Sequence, residues 1–416
     1  MSFLSFRKLI GSILASAAFA PASPAATTDP LGIYTVKLAG KPADAPQART
    51  YLGIQLLPDT RFVGIVSAVE GNSFQVENLG QPSVLAEAGY SFYVQVLNGL
   101  GAGFIADIVS FSDTDFVSAE ALTPWMSPGN QVRIRTHPRI GDVFGNDNRF
   151  GLAAAPTSAE ADNVVVWDPV NQQEKVYFYH SLHERWEERN STGDAGNDVI
   201  RVPLGCYVVR RSAGSRWMVL SGEVSADPVL LPVRPGANVF SLPVNLSASL
   251  DQWIAGDGSH PVIAGPNANS ADLLTFEEPA SGNQAGPFYR RTTAGGDGWQ
   301  EVGLNDASGA SQRLDFLSTL VLRRHGGPGY VLATGNLEPG PVLDLPLDPE
   351  APQLAGELPF PAAPPTGVII SVESSLDLQS WTLVTQDVSV GGGKAVFDLP
   401  AGQTRAFYRL NVTLSP

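Results

Sequence analysis

The amino-acid sequence predicts an all-β protein made of several antiparallel β barrels or sandwiches, with only minor short helices. Three observations lead to this prediction. Apolar runs of four to eight residues recur between turns rich in Gly, Pro, Asn and Asp, which is typical of short strands and tight turns. Glycine and proline make up about 18 % of the 416 residues, more than the ordinary ~12 % but less than disordered chains contain. The third observation is an internal repeat in the middle of the chain.

The repeat appears when the sequence is shifted against itself by 110 positions. Residues 140–169 then align with residues 250–279 without a gap, and six identities result: Asp147 with Asp257, Ala154 with Ala264, Pro156 with Pro266, Ala161 with Ala271, Asp162 with Asp272, and Pro169 with Pro279. With small gaps, Tyr179 then pairs with Tyr289, Trp186 with Trp299, and "VVRR" (208–211) with "VLRR" (321–324). The repeat predicts two tandem β units, at 140–249 and 250–347.

Strand-like runs and turns organise each part of the chain. Six strands are predicted in the first unit: 164–168, 175–180, 185–189, 198–202, 205–211 and 216–224. A short helix is predicted at the start of the second unit, where Ser249 and Gln252 have capping-box spacing.

Three further segments flank the repeat. Residues 29–139 hold about seven strand-like runs, enough to close a small barrel or sandwich, and predict a separate N-terminal β module. Residues 348–366 are rich in Pro and predict a semi-rigid linker. Residues 367–416 predict a small C-terminal β module.

The N-terminus has the layout of a secretory signal peptide over residues 1–26. Arg7 and Lys8 precede an apolar stretch from Leu9 to Ala20, and small residues follow. This stretch is too short to span a bilayer, and no later segment is apolar for long enough to do so. We therefore expect cleavage between Ala20 and Ala26, and an extracellular, cell-surface or periplasmic protein without a transmembrane segment in its mature chain.

Charge and cysteine content exclude some classes of partner and framework. Removing Arg7 and Lys8 takes the formal charge from −15 to −17, and such an acidic surface repels phosphate backbones, so no nucleic-acid partner is expected. The single cysteine, Cys206, rules out an intramolecular disulfide. It lies in the apolar run "GCYVVRR", where a buried small hydrophobe is expected.

Several of these segments resemble a known group of proteins. "DPLGIYTV" (29–36), "FVGIVSAVEGNSFQV" (62–76) and the "ADNVVVWDP" unit with its copy are similar to an uncharacterised, paralogous family of exported β-rich proteins of Verrucomicrobia. The stretch from "SVESSLDLQSWTLV" (371–384) to "FYRL" (407–410) resembles a C-terminal β extension of many secreted proteins of those bacteria. The resemblance implies export and several β modules, and it implies no activity.

The segment "FYHSLHERWEERN" (178–190) raises the question of a metal site. Its six residues between Tyr179 and Trp186 replace nine in the second unit, where three are glycines, so the segment is expected to be a hairpin tip. The second unit also lacks both His180 and His183. We therefore expect a solvated loop and no metal or other cofactor. Calcium is left open by three turns rich in Asp and Asn, at 145–151, 191–198 and 256–260, none with EF-hand spacing.

No catalytic motif stands out. The chain contains no G-x-S-x-G, no Walker A and no Rossmann fingerprint, and its five histidines lie in unrelated contexts. Trp186, Trp299, Tyr179 and Tyr289 are either ligand-binding platforms that stack on sugars or repeated core residues, and core is favoured because both units must bury the same strand face.

The sequence thus predicts a non-enzymatic exported protein of the cell envelope or surface with a structural, adhesive or glycan-binding role. Polysaccharide or envelope components are its expected partners. The alternative is a secreted polysaccharide hydrolase that uses a carboxylate pair between modules.

Overall fold

The fold is taken from a computed structural model of the chain. It describes the following residues: 26–27, 31–54, 56–58, 60–77, 85, 89–112, 115–224, 227–242, 248–250, 262–278, 283–292, 298–304, 313–314, 319–333, 355–359, 368–375, 380–385, 388–391, 394–398 and 405–414. The predicted signal peptide lies outside these residues, apart from Ala26.

Thirty strands and one short helix are present in the described residues. The strands that precede the helix are β1 (Ala26–Thr27), β2 (Leu31–Leu38), β3 (Ala48–Leu52), β4 (Leu56–Leu57), β5 (Thr60–Glu70), β6 (Ser73–Val76), β7 (Phe92–Val96), β8 (Ile105–Phe111), β9 (Asp115–Ser118) and β10 (Gln131–Thr136). The helix is α1 (Ile140–Phe144). The strands that follow, as far as the second β unit extends, are β11 (Asn163–Asp168), β12 (Gln173–His180), β13 (Arg185–Glu188), β14 (Cys206–Arg210), β15 (Arg216–Val224), β16 (Val229–Val233), β17 (Gly236–Ser241), β18 (Ala248–Ser249), β19 (Leu273–Glu278), β20 (Asn283–Arg291), β21 (Gly298–Glu301), β22 (Arg313–Leu314), β23 (Thr319–Arg324) and β24 (Gly329–Ala333). The last strands are β25 (Ala355–Pro359), β26 (Val368–Ser375), β27 (Thr382–Leu383), β28 (Val388–Gly391), β29 (Lys394–Asp398) and β30 (Arg405–Leu414).

The predicted all-β fold class is confirmed. Every strand pair in the described sheets is antiparallel, and α1 is the helix that lies wholly within the described residues. Within those residues no helix combines the length and apolarity that a membrane crossing requires.

Six strands form a closed barrel in the order β10-β5-β6-β9-β8-β7. Its interior holds large apolar side chains, including Phe74, Phe104, Phe116 and Ile134. The β5–β6 hairpin turns at Gly71, whose φ of +60° is a conformation that glycine adopts without strain. All six strands lie within the range predicted for the N-terminal module, and the barrel is one of the two folds expected there.

Two five-stranded sheets share one strand order. The first is β13-β12-β11-β14-β3 and the second is β21-β20-β19-β23-β17. Parallel bridges recur at matching places, between Ala155 and His180 in the first and between Gly265 and Arg291 in the second. This correspondence supports the tandem repeat, which itself stays a prediction.

The sheets divide the chain differently from the predicted ranges. β2 and β3, placed in the N-terminal module, pair with β15 and β14 of the first unit. β16 and β17, placed in the first unit, pair with β24 and β23 of the second. Each sheet therefore takes its first strands from further upstream than sequence similarity indicated, and the barrel lies between β3 and β11 along the chain.

The register of the second sheet corrects two of the aligned pairs. Leu274 bridges Phe288 whereas Phe276 bridges Ala285, so β20 carries one extra residue in a bulge. Beyond the bulge, Tyr289 takes the place of Phe178, and Arg290 faces Trp299 as Tyr179 faces Trp186. The pairing of Tyr179 with Tyr289 is wrong by one position.

The aligned arginine pairs are also shifted by one position. Asn163 bridges Val209 and Leu273 bridges Arg323, so Arg210 corresponds to Arg324 rather than to Arg323. A slip of one residue matters because it moves a side chain to the other face of the sheet.

Three other expectations differ from the structure. The predicted strand at 198–202 is wrong: Val199 makes an isolated bridge with Arg139, and Pro203, which follows the segment, cannot donate a ladder hydrogen bond. Part of the predicted linker forms β25, an edge strand on β29 that ends at Pro359. In the predicted C-terminal module, β30 pairs with β2 and β1 and so joins the sheet of the first unit. Of the helix predicted after Ser249, Leu250 is helical, and the segment from residue 251 on lies outside the described residues.

The barrel packs against the first unit and also against the second, to whose sheets β16 and β17 belong. The N–H of Leu230 donates to the carbonyl of Gly103 over 2.8 Å, and Arg133 forms a 2.6 Å ion pair with Asp227. Ile105 of the barrel packs on the core of the second unit. The three parts therefore meet at one junction.

Candidate functional site

The segment "FYHSLHERWEERN" forms a hairpin, as predicted. β12 ends at His180, β13 begins at Arg185, and these two residues face each other across the ladder. Nδ1 of His180 accepts hydrogen bonds from the backbone N–H groups of Leu182 and His183, both over 3.2 Å. His180 therefore closes the turn of its own hairpin.

The prediction of a solvated loop is wrong for two of these residues. His180 is 8 % exposed and Glu187 is 3 % exposed. His183 lies in the turn and folds back, so that its ring stacks on that of His180 with 4.0 Å between centroids. Nδ1 of His183 lies 2.7 Å from Oε1 of Glu187, which also accepts a 3.0 Å hydrogen bond from Nε of Arg185.

Burial acts to raise the pKa of Glu187, but hydrogen bonds from His183 and Arg185 and the nearby histidine rings outweigh it, and the pKa is lowered. Glu187 is thus held as a carboxylate inside the hairpin.

This hairpin contains the group of potential metal ligands that the described residues bring together. One ligand atom from each of His180, His183 and Glu187 lies within 4.8 Å of the others. The hydrogen bonds argue against a metal here. Nδ1 of His180 accepts two backbone N–H groups, so the proton of this ring is assigned to Nε2. If Nε2 coordinated a metal, the proton would move to Nδ1, which could then no longer accept those two hydrogen bonds. The rings of His180 and His183 are stacked, 12° from parallel, so the lone pairs of their nitrogens lie in two nearly parallel planes and do not converge on one metal ion.

The turns considered for calcium use their oxygens locally. Oδ1 of Asn148 accepts the N–H of Leu152 over 3.1 Å, and Oδ1 of Asp194 accepts the N–H of Gly196 over 2.9 Å. Asp and Asn serve this purpose in many turns. The third turn, 256–260, lies outside the described residues, and a calcium site stays a prediction.

The aromatic residues proposed as sugar platforms lie in or near the core. Trp186 is 1 % exposed and Trp299 is 2 % exposed, and Tyr289 is buried. Nε1 of Trp186 donates to the carbonyl of Gly145 over 2.7 Å. Tyr179 is half-buried and meets the ring of Trp186 edge-on. Neither tryptophan offers an open ring face to a sugar.

A cleft of about 420 Å³ lies at the junction of the barrel and the two units. We call it the junction cleft. Its walls combine acidic, basic and apolar side chains with one tryptophan, and they are formed by Ile105, Asp107, Glu120, Val166, Trp167, Asp168, Pro169, Val170, Lys175, Tyr177, Asn197, Asp198, Val199, Arg201, Val202, Pro203, Leu204, Leu230, Pro232 and Arg234.

Asp107, on β8 of the barrel, is held by His137 and Arg201. Oδ1 lies 2.9 Å from Nε2 of His137, and Oδ2 lies 3.0 Å from Nε of Arg201. Nδ1 of His137 accepts the N–H of Val202, which leaves Nε2 to donate to Asp107. Burial acts to raise the pKa of Asp107, but His137 and Arg201 outweigh it, and the pKa is lowered. These bonds fix the barrel to the segment that precedes β14.

Glu120 follows β9 and has a different environment. Its Oε2 accepts the backbone N–H of Asp107 over 3.2 Å. Burial and the negative charge of Asp107 raise the pKa of Glu120. The junction cleft therefore holds two carboxyl groups whose pKa values are moved in opposite directions.

The rest of the cleft offers apolar and hydrogen-bonding surface. Trp167 is half-buried, and its Nε1 donates to the carbonyl of Ala237 over 2.7 Å, so its ring is fixed against the second unit. Lys175 and Arg234 are exposed on the walls. A hydroxyl-rich ligand finds charged donors and acceptors here, beside apolar surface for its ring faces.

The sequence did not reveal the cleft residues, because they come from three distant parts of the chain and form no motif. The one expectation that bears on them is the carboxylate pair between modules, for which the sequence indicates no particular residues. Comparison with known proteins adds nothing to this picture: no protein-family model matches the chain, and no curated protein matches it.

Proposed function

We propose that this chain is an exported, non-enzymatic protein of the cell envelope or surface that binds a glycan in the junction cleft and serves a structural or adhesive role. Export rests on the signal-peptide pattern at residues 1–26. The observation that carries the binding proposal is the cleft itself, whose walls combine Trp167 with carboxylates, a lysine and arginines. Surface sites for sugars need this mixture of aromatic and polar groups.

Binding is favoured over catalysis by the bonds that Asp107 makes. Both of its oxygens are engaged, one by His137 and one by Arg201. A carboxylate held in this way is a weak nucleophile and a weak base. Glu120, in contrast, is exposed enough to accept a hydrogen bond from a sugar hydroxyl.

The test is a glycan array probed with the purified protein, followed by titration of each glycan that binds. Glu120→Gln and Lys175→Ala should each weaken binding about tenfold, because each removes a charged hydrogen-bonding group. Glu70→Gln, an exposed acid on β5 outside the cleft, is the matched control and should bind as the native protein does. Equal affinity of all four proteins, or no glycan bound at all, would contradict the proposal.

Localisation is tested separately in the native host. Cell fractionation with an antibody against the mature chain should find it in the envelope or at the surface. Recovery of the unprocessed chain from the cytoplasm would contradict export without bearing on the cleft.

The second candidate is a secreted polysaccharide hydrolase. It is favoured by one observation, the opposite pKa shifts of Asp107 and Glu120, because acid–base catalysis uses carboxyl groups in unequal environments. Its test is the release of reducing ends from any polysaccharide that binds. Activity lost in Glu120→Gln and kept in Glu70→Gln would select this function over simple binding.

A further inference from the structure

A second cavity, of about 390 Å³, lies on the other side of the segment that returns from the barrel to the first unit. Thr136 and Pro138 line it, while His137 between them bonds Asp107 in the wall of the junction cleft. We call it the arginine cavity. Its lining residues are Ile54, Leu56, Leu57, Pro58, Arg61, Tyr90, Thr136, Pro138, Asp142, Val143, Arg149, Val219, Leu220, Ser221 and Gly222.

This cavity is lined by arginines, although the chain as a whole is acidic. Arg61 and Arg149 are among its lining residues, in a protein whose formal charge is −15. Asp142 is the acid among the lining residues, and its carboxylate is already bonded by Nε of Arg139 over 3.0 Å. The guanidinium of Arg149 therefore brings positive charge to this cavity, in a protein whose surface is acidic.

Arg149 is the more accessible of the two arginines. It is exposed, its guanidinium lies over the ring of Phe150, and one of its amino groups donates to the backbone carbonyl of Asp142 over 3.3 Å. The described residues give it no carboxylate partner. Its side chain is thus held near the wall without its charge being neutralised there.

The other walls suit the body of a sugar ring. Its lining residues include the apolar Leu56, Leu57 and Leu220 and the hydroxyl-bearing Thr136 and Ser221. A free inorganic anion would leave this apolar surface unused. A ring that carries an anionic group would use both parts of the cavity.

We propose that the arginine cavity is a second binding site, for the carboxylate-bearing sugar of an acidic polysaccharide, that is, a uronic acid. Guanidinium groups bind carboxylates through pairs of parallel hydrogen bonds, and these charge-assisted bonds are strong. The ring would lie on the leucines while its carboxylate meets Arg149 and Arg61. This site is separate from the junction cleft and does not depend on the glycan proposed there.

The test is calorimetric titration of the full protein with three probes: trigalacturonic acid, its methyl ester and a sulfated trisaccharide of neutral sugars. Binding is expected for the free acid, with affinity that falls as salt is added. The methyl ester keeps the ring and lacks the charge, so it should not bind. Equal binding of acid and ester, or stronger binding of the sulfated probe, would overturn the assignment to a carboxylate.

Variants locate the site. Arg149→Gln should lower the affinity for trigalacturonic acid about tenfold or more, because a charge-assisted hydrogen bond is lost. Arg189→Gln, an exposed arginine outside both cavities, is the matched control and should leave the affinity unchanged. Arg61→Gln should act like Arg149→Gln, but Arg61 is half-buried, so its thermal melting is compared with that of the native protein first.

Failure of this proposal can be told apart from failure of the proposed function. Glu120→Gln should leave trigalacturonic acid binding intact, because Glu120 lines the junction cleft and not this cavity. Loss of uronate binding in Glu120→Gln, with no loss in Arg149→Gln, would move the uronate site to the cleft and overturn the inference.

Discussion

Asp162 and Arg210 form an ion pair in the interior of the first unit, with Nε of the arginine 3.2 Å from Oδ2 of the aspartate. The side chain of Asp162 is 0 % exposed and that of Arg210 is 2 % exposed. The carboxylate also accepts the N–H groups of Ala153 and Arg211. It therefore ties the loop before β11 to the end of β14.

The second unit repeats this arrangement with Asp272 and Arg324. Nη1 of Arg324 lies 2.7 Å from Oδ2 of Asp272, which also accepts the N–H of Ile263, while Oδ1 accepts the N–H of His325. Asp162 and Asp272 are among the identities that the shift of 110 positions aligned. Their shared role explains why the sequence keeps an acid at a fully buried place in each unit.

Asp162→Ala should destabilise the protein strongly, because it leaves Arg210 charged and buried without its partner. Removal of one member of a buried ion pair costs about 3–5 kcal/mol of unfolding free energy. Urea denaturation followed by tryptophan fluorescence measures the change. Asp147→Ala, at an exposed position aligned with Asp257, is the control, and an equal loss in both variants would contradict a special role for Asp162.

Trp186→Phe should reduce stability and leave glycan binding unchanged. The indole is buried against Phe144 and bonded to the carbonyl of Gly145, so the smaller ring loses packing and one hydrogen bond, at a cost of roughly 2–4 kcal/mol. Thermal melting and the glycan titration measure the two effects. Binding lost by a variant that remains folded would restore Trp186 as a sugar platform.

Zinc followed by EDTA should leave the melting temperature of the protein unchanged. The reason is that Nδ1 of His180 already accepts two backbone N–H groups and that Glu187 is already bonded by His183 and Arg185. Differential scanning calorimetry makes the measurement, with His183→Ala as the comparison. A rise of several degrees with zinc that is reversed by EDTA and absent in His183→Ala would establish a metal site.

The fold class could be predicted from the sequence because short apolar runs and turn residues are local signals. The hairpin tip after His180 was also predictable, since the two units differ in length there. The sheet that each strand joins could not be predicted. β2 and β16 pair with β15 and β24, which lie far along the chain, and no local pattern indicates those partners. The bulge before Phe288 was hidden for the same reason, because it becomes visible only in the ladder.

The candidate site was less predictable than the fold. Asp107, Glu120 and Arg201 belong to different segments, and none of them lies in a motif. A run of charged residues predicts exposure, but His180 and Glu187 are buried because the turn folds His183 back over both. The charged groups of a hairpin can thus form hydrogen bonds and ion pairs with one another and be buried, as Glu187 does with His183 and Arg185.

Glu277 connects the two units and titrates in an unusual range. It lies on β19 in the second unit, is 2 % exposed, and its Oε1 accepts the N–H of Tyr51 on β3 over 2.9 Å. Its Oε2 accepts a 3.2 Å hydrogen bond from Gln284. Burial raises the pKa of Glu277 from 4.5 to about 7, although Gln284, Tyr51 and the charge of Arg49 act to lower it.

The unfolding free energy should therefore fall as the pH rises from about 4.5 to 7, by an amount that Glu277→Gln removes. Below pH 4.5 the carboxyl is protonated in both states, and above it the unfolded chain releases a proton that the folded protein retains up to its pKa of about 7. A shift of this size corresponds to roughly 3 kcal/mol at 1.4 kcal/mol per pH unit.

The measurement is urea denaturation of the native protein and Glu277→Gln at a series of pH values, since the difference between them cancels the titration of other groups. Glu70→Gln should follow the native protein throughout, because that side chain is exposed on the barrel. A difference between native protein and Glu277→Gln that stays constant from pH 4.5 to 7 would show that the buried carboxyl does not couple the contact between the units to pH.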